Sequence, residues 1–197
     1  FYKEWAEKLG LSYDFEVLHY SEALRPALES GKLTFNKTDK KVTWHDSCHM
    51  GRAGGIYDAP RQVLQAIPGI EFVEMEHIRQ EAHCCGSVMS LVADPAAAQR
   101  IGDVRLAEAE ATGAQALIAS CPCCEVQFRV TAEKTGRDLP IIDLAHLVVM
   151  HLPGSVDGLS PDLEDLVVRV REAEAQVGVT QQHEQDRRRR RDRDAQG

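Results

Sequence analysis

Apolar positions along the chain fall into two rhythms, short compact runs and stripes at helical spacing, and the two alternate. The stretch 2–9 (YKEWAEKL) has helical spacing and ends at Gly10. Phe15-Glu16-Val17-Leu18 reads as a short strand. A helix is expected over about 21–30, stopped by Gly31, with Pro26 inside it to delay its start or kink it. Val42-Thr43-Trp44-His45 is the next strand, followed by a loop containing Gly51, Gly54 and Gly55. Asp58 and Pro60 signal the start of a helix carrying Val63, Leu64 and Ile67, and Pro68-Gly69 stops it. Residues 70–75 form another strand. Asp94 caps and Pro95 opens a long helix to about Thr112, with Gly113 as its stop. Ala116-Leu117-Ile118-Ala119 is a short buried strand, and 123–135 a helix ended by Gly136. Ile141-Ile142 is a last strand and 145–151 a last core helix.

Strands that alternate with helices of ten or more residues predict βαβ units and a parallel sheet. The strand runs are continuously apolar, as they are when both sheet faces are covered. The fold class expected is therefore α/β, a three-layer parallel β-sheet with flanking helices built from repeated βα units. After Pro153-Gly154 a further helix is expected from Ser160, with Leu163, Leu166, Val167 and Val170 on one face, followed by a polar tail containing Arg187 to Arg191. The division expected is a domain over 1–157, a C-terminal docking helix over 158–177 and a disordered Arg-rich tail over 178–197. That tail is read as a solvated end, and an electrostatic contact with anionic lipid or an acidic subunit is the sharper alternative.

Composition narrows the function. A net charge of -8 argues against nucleic acid as a partner. No apolar run approaches the ~20 residues of a membrane span. Phe1 in place of an initiator Met reads as the start of a piece cut from a longer or processed chain.

The six cysteines change the picture most. Cys48, Cys84, Cys85, Cys121, Cys123 and Cys124 include two tight clusters, unlike the spread of a disulfide scaffold. Adjacent residues such as Cys84 and Cys85 also bridge each other poorly. Thirty-five residues separate Cys48 from Cys84, and thirty-four separate Gly86 from Cys121. Each interval is about one crossover unit long. All three groups follow strands, so they fall at the carboxyl edge of one sheet, where ligands bind in open α/β folds. Thiolates suit iron-sulfur clusters, zinc and cuprous copper. One Cys-x-x-Cys, one vicinal pair and one single cysteine make a poor zinc pattern and a better one for a larger centre. A zinc-stabilised binding module and a thiol-disulfide exchange protein working through Cys121-Pro122-Cys123-Cys124 stand as alternatives. Gly86 lets backbone pass close to a bulky cofactor, and Gly51, Gly54 and Gly55 do so on the other side.

The pattern Cys48 … Cys84-Cys85-Gly86 … Cys121-Pro122-Cys123-Cys124, with its flanking text HDSCHMGRAGGIYDAPRQVL, HCCGSVMSLVADP and ASCPCCEVQF, resembles the CCG cysteine-rich domain. This is the module of the catalytic polypeptides of heterodisulfide reductases, both the B and the D types, and of related iron-sulfur proteins in anaerobic respiratory membrane complexes. The likeness covers about residues 10–152 and is closest to a carboxyl-terminal module. It implies that Cys48, Cys84, Cys85, Cys121 and Cys124 hold a [4Fe-4S] cluster, cubane or noncubane, with Gly86 beside it, and that a disulfide is split there by successive one-electron steps. The five cysteines are then both the metal ligands and the catalytic set.

The function implied is an iron-sulfur oxidoreductase acting on a disulfide or thiol, as one module of a multi-subunit complex. The alternative is an electron relay with no substrate site. The partners implied are electron-donating iron-sulfur, flavin or haem subunits, membrane-complex subunits and a small disulfide or thiol. The location implied is the cytoplasm, at the cytoplasmic face of the membrane through those partners. Cys123 is extra to the pattern and is read as packing or as a neighbour of the ligands. Ser47 stands where relatives often carry Pro.

His49 and His83 are candidates for proton donation or a hydrogen bond to sulfur, while strand alternation points His45 away. Arg52 is expected either to orient an anion or to pair with Asp58, and Arg61 to lie on a solvated helix face. Trp44 is read as core, Met50 and Met89 as apolar walls, and Glu125 as a carboxylate favoured by a helix start.

Overall fold

In the computed structural model, residues 5, 6 and 8–153 are described. The helix expected over 2–9 lies partly outside them. The helix over 158–177 and the tail over 178–197 lie wholly outside. The chain divides into two units, Phe1–Leu144 and Ala145–Gly197. The first holds the sheet and every cysteine.

Four strands form one parallel sheet: β1 (Lys40–Trp44), β2 (Ile70–Val73), β3 (Ala116–Ala119) and β4 (Ile141–Asp143), in the spatial order β2-β1-β3-β4. β1 pairs with β2 through Val42↔Phe72 and with β3 through Thr43↔Leu117, and β3 pairs with β4 through Ile118↔Ile142. The four residues of β3 are all buried, as are Val42, Thr43 and Trp44 of β1. A central parallel strand is covered on both faces, which is why these runs do not alternate.

The helices are α1 (Tyr20–Glu29), α2 (Asp58–Ala66), α3 (Ser87–Leu91), α4 (Pro95–Ala111), α5 (Pro122–Thr135) and α6 (Leu144–His151). α2 carries the chain from β1 outward to β2. α4 brings it back across β1 to β3, and α5 leads on to β4. Parallel crossovers are right-handed, so α2 covers one face and α4 with α5 the other. In agreement, α1 packs on α2, and α4 packs on α5. A π-helical turn at His49–Ala53 follows β1, and a 3₁₀ turn at Arg79–Glu81 follows β2.

Local chemistry sets the helix ends. The Asp94 carboxylate accepts from Ala97 N at 2.9 Å, with Pro95 in the first turn. Gly136 ends α5 in the left-handed conformation. α1 has a capping box that its sequence hides, because the acceptor is a histidine. His19 Nδ1 receives Ser21 N–H, and Glu22 accepts from His19 N at 2.9 Å. Pro26 lies inside α1, which runs on to Glu29.

The expected strand at Phe15–Leu18 does not form. Phe15 and Leu18 are exposed and the segment joins no sheet. Strand propensity reflects packing against neighbouring strands, and without one here it is not realised.

One core cluster contains Met75, Leu106, Ala109, Leu117, Phe128, Ala132 and Leu139, together with Cys85 and Cys124. Two of the thiols are therefore part of the hydrophobic core, and Cys84 and Cys121 pack against it.

Candidate metal centre

The chain leaves β1 toward β2 on one side, and β3 is added on the other. The crevice beyond the carboxyl ends of β1 and β3 is therefore a topological switch point, the ligand site of open α/β sheets. Cys48 and Cys121 follow those two strands. Cys84 and Cys85 arrive between them on the segment that leads from β2 into α3.

Four sulfurs meet there, with the fifth, Cys48, close enough to act on them electrostatically. Cys85 lies in contact with the thiols of Cys124 and Cys84, with the imidazole of His45 and with the hydroxyl of Ser87, whose Oγ is 3.2 Å from the sulfur. Cys124 in turn contacts Cys121. Cys48 bears electrostatically on Cys84. The ligand atoms of His45, Cys85 and Cys124 all lie within 4.8 Å of one another. Cys85 and Cys124 are buried, Cys48, Cys84 and Cys121 are half-buried, and all six cysteines are free thiols. The sixth, Cys123, is exposed, so its side chain is not packed in the core, while its backbone N–H bonds the Cys121 sulfur.

The thiols share protons unequally. The Cys124 and Cys84 thiols, against the opposing effect of burial, hold the Cys85 thiol far below its ordinary range. Cys124 is pushed far above it by hydrogen bonding to the Cys121 and Cys85 sulfurs, and Cys84 by hydrogen bonding to Cys85. Cys121 is lowered to about 6, first by Cys124 and then, against burial, by the backbone N–H groups of Cys124 and Cys123 at the start of α5. Cys84, Cys85, Cys121 and Cys124 cannot all ionise beside one another unless a strongly positive centre compensates them. As a donor set, five soft sulfurs around one crevice fit a polynuclear iron-sulfur group.

The surroundings are built closely around the pocket. Gly86, at φ +91°, donates its N–H to Cys84 Sγ at 3.3 Å. A Cβ there would stand 2.3 Å from the Ala98 carbonyl oxygen, so only glycine lets the vicinal pair pass α4. The first cysteine is held by a buried ion pair. Asp46 accepts from both terminal nitrogens of Arg61, at 2.8 and 2.7 Å, from Trp44 Nε1 at 3.0 Å and from Arg79 N at 2.7 Å. Arg61 also reaches Glu74 at 2.6 Å and the Tyr57 carbonyl at 2.7 Å. Burial opposes the Asp46 carboxylate, but Arg61 and Arg79 N–H hold its pKa below the ordinary value. This network ties the turn after β1 to α2 and to the exit of β2.

Arg61 is thus 5% exposed and not on a solvated face. Arg52 donates to the Ala82 carbonyl at 2.7 Å, while Asp58 pairs with Arg79. His45 is the histidine that faces the buried sulfurs. It is 1% exposed, and burial keeps it neutral by lowering its pKa. Its Nδ1 lies 3.4 Å from the Arg105 Nε donor, so the one proton of the neutral ring belongs on Nε2.

His49 Nδ1 lies 3.5 Å from Cys48 Sγ, whereas His83 stacks on His77 and faces Glu108. Met50 Sδ accepts from Ser120 Oγ at 3.1 Å, and Trp44 is fully buried. Glu125 is not a solvated helix-start carboxylate. Burial and then Asp143 raise it to about 7. No sequence motif points to Arg105, Glu108, Asp46 or His77. Arg105 carries a signal nonetheless: Ala98, Gly102, Arg105 and Ala109 share helical spacing, and all four are buried.

Comparison with known proteins agrees with this geometry. Residues 42–129 match the cysteine-rich domain family CCG. The chain is similar to the D component of the dihydromethanophenazine:CoB–CoM heterodisulfide reductase of Methanosarcina acetivorans, 35% identical over 78% of this chain and 38% of that protein. A Chromohalobacter salexigens protein named "Probable membrane-anchored ferredoxin" is 33% identical over 73% of this chain and 22% of that protein. The B component of the fumarate reductase (CoM/CoB) of Methanothermobacter marburgensis is 32% identical over 70% of this chain and 27% of that protein. The chain spans less than two fifths of the length of these relatives. Among the described residues no helix is long and apolar enough to cross a membrane.

Proposed function

With residues 42–129 forming a cysteine-rich domain of the CCG family, we propose that this module holds a [4Fe-4S] cluster, cubane or noncubane, on Cys48, Cys84, Cys85, Cys121 and Cys124. We propose further that it passes electrons there to or from a disulfide or thiol substrate. The observation that carries the reading is the contact of the Cys84, Cys85, Cys121 and Cys124 sulfurs from two remote segments, with Cys48 of a third bearing on them electrostatically, at the switch point of one sheet. The bound group would supply one-electron chemistry next to the substrate sulfur.

The chain's own residues do the rest. Cys85 and Cys124 anchor the group in the core, and Gly86 allows the close approach. Neutral His45 offers a hydrogen bond to the Cys85 thiolate. Cys48, Cys84 and Cys121 border solvent, which gives a substrate sulfur a side to enter from. Electrons reach the module from iron-sulfur, flavin or haem groups of partner subunits in a complex. Those partners place it at the cytoplasmic face of a membrane.

A second reading, a relay with no substrate of its own, is favoured by the relative whose name is that of a ferredoxin. Electron paramagnetic resonance of the oxidised, cluster-loaded protein separates the two. A signal that appears only with an added thiol supports catalysis. A spectrum indifferent to thiols leaves the relay.

A further inference from the structure

Behind the vicinal cysteines lies a second cluster that the cysteine centre does not use. The segment between β2 and Cys84 carries His77 and His83, and α4 presents Glu108 to both. His77 Nδ1 is 3.1 Å from Glu108 Oε1, and His83 Nδ1 is 3.3 Å from Glu108 Oε2. The two imidazoles stack with centroids 4.0 Å apart, and the three ligand atoms lie within 4.8 Å of one another. They line a surface cavity of about 500 Å³ that Glu74 and Glu76 also border.

Hydrogen bonding accounts for the His77–Glu108 contact but not for the placement of His83. The Nδ1 atom of His83 is buried and makes no hydrogen bond, although a carboxylate oxygen is 3.3 Å away. A buried ring nitrogen aimed at a carboxylate without bonding to it is short of a partner between them. The spacing suits such a partner. Zinc-to-nitrogen or zinc-to-oxygen bonds of about 2.0–2.1 Å in a tetrahedron put neighbouring ligand atoms about 3.3 Å apart. Two histidines and one carboxylate also form a recurrent donor set for first-row divalent metals. Glu108 is held in place from behind. Its Oε2 accepts from the buried Arg105 Nη1 at 2.7 Å, and its Oε1 from His77 N at 2.5 Å. Such outer contacts fix ligating carboxylates. Asp46 and Glu74 also offset the charge of Arg105, so that cation does not exclude another from the site.

We propose that His77, His83 and Glu108 form a mononuclear site for a first-row divalent cation such as zinc, distinct from the cysteine centre. The cation would pin the segment that delivers Cys84 and Cys85 onto α4, and its remaining coordination positions would open to the cavity.

The test is competition between a chromophoric chelator and the iron-sulfur-loaded chain for Zn2+, with Co2+ as a spectroscopic replacement. One zinc per chain is expected beyond the iron. Its affinity should fall at least tenfold in His77→Gln and in His83→Gln, while iron and sulfide stay as in the parent. Bound Co2+ should show ligand-field bands without thiolate-to-cobalt charge transfer, and Cys123→Ser, outside the cluster ligands, should leave that spectrum unchanged. Zinc binding indifferent to both histidine substitutions, or cobalt bands of thiolate character, would overturn the proposal. With the thiols alkylated first, so that they cannot take cobalt, the same spectrum scores the site even in a chain that carries no iron.

Discussion

Replacing Arg61 with Met is the sharpest probe of how the fold holds its first cysteine. The substitution keeps most of the aliphatic volume and removes the guanidinium from between Asp46 and Glu74. The Asp46 side chain is 1% exposed and that of Glu74 is 34% exposed. Glu74 can turn to water, so the penalty falls on Asp46. Breaking a buried pair from one side costs about 3–5 kcal/mol. Two donors to Asp46 survive, Trp44 Nε1 and Arg79 N, which places this case near the lower end, about 3 kcal/mol. For a domain of this size that corresponds to a fall in Tm of about 6–12 °C.

The assay is urea unfolding of the metal-free chain with and without the substitution, at several pH values. The sign follows from Asp46. Its folded pKa is depressed in the parent, so its contribution is present above the unfolded value and lost as pH falls through the folded one. The deficit of Arg61→Met should therefore narrow on acidification through the carboxylate range. Adding Asp46→Asn to Arg61→Met should recover stability, because no buried charge then lacks a partner. A loss below about 0.5 kcal/mol, typical of a surface substitution, or no recovery on adding Asp46→Asn, would refute the reasoning.

Other substitutions test neighbouring claims. Gly86→Ala meets a left-handed backbone and the Ala98 carbonyl together, so iron retention should collapse. Stability should fall by more than the about 1–2 kcal/mol of the conformational cost alone, read by iron analysis and urea unfolding. Asp94→Ala removes the cap of α4 and should cost about 1 kcal/mol without changing iron content. In the metal-free chain, alkylation of Cys121, followed by peptide mass spectrometry, should fall as pH drops through about 6. Cys124→Ala, which removes the leading cause of that shift, should move the half-point upward.

Much of the architecture could be read from the chain because local and global signals agreed. Ala116–Ala119 is a buried strand with no alternation, and Asp94-Pro95 and Gly136 mark helix ends by their own chemistry. The cysteine spacing places all three groups past strand ends, and the strand order adds what spacing cannot: β1 and β3 flank the reversal point. Phe15–Leu18 departs from expectation because strand propensity needs a neighbour. His45 departs for a related reason. Thr43, Trp44 and His45 are all buried in or just beyond a strand covered on both faces, so alternation does not tell core from solvent there. Arg61 and Arg105 are charges on buried helix faces; the carboxylates that meet Arg61 come from distant segments, and Arg105 pairs with Glu108 on its own helix and with the distant His77 carbonyl. Their spacing signals burial, but only the fold supplies the carboxylates and carbonyl that make it tolerable.

The central claim is that sulfurs from three segments hold one cluster. It is tested most directly by iron and acid-labile sulfide analysis of the anaerobically purified chain, alongside single Cys→Ser variants. The expected result is about four iron and about four sulfide per chain. That content should be lost or sharply reduced in variants at Cys48, Cys84, Cys85, Cys121 or Cys124, and kept in Cys123→Ser. A colourless chain without sulfide, or iron content unchanged when Cys85 is replaced, would contradict it.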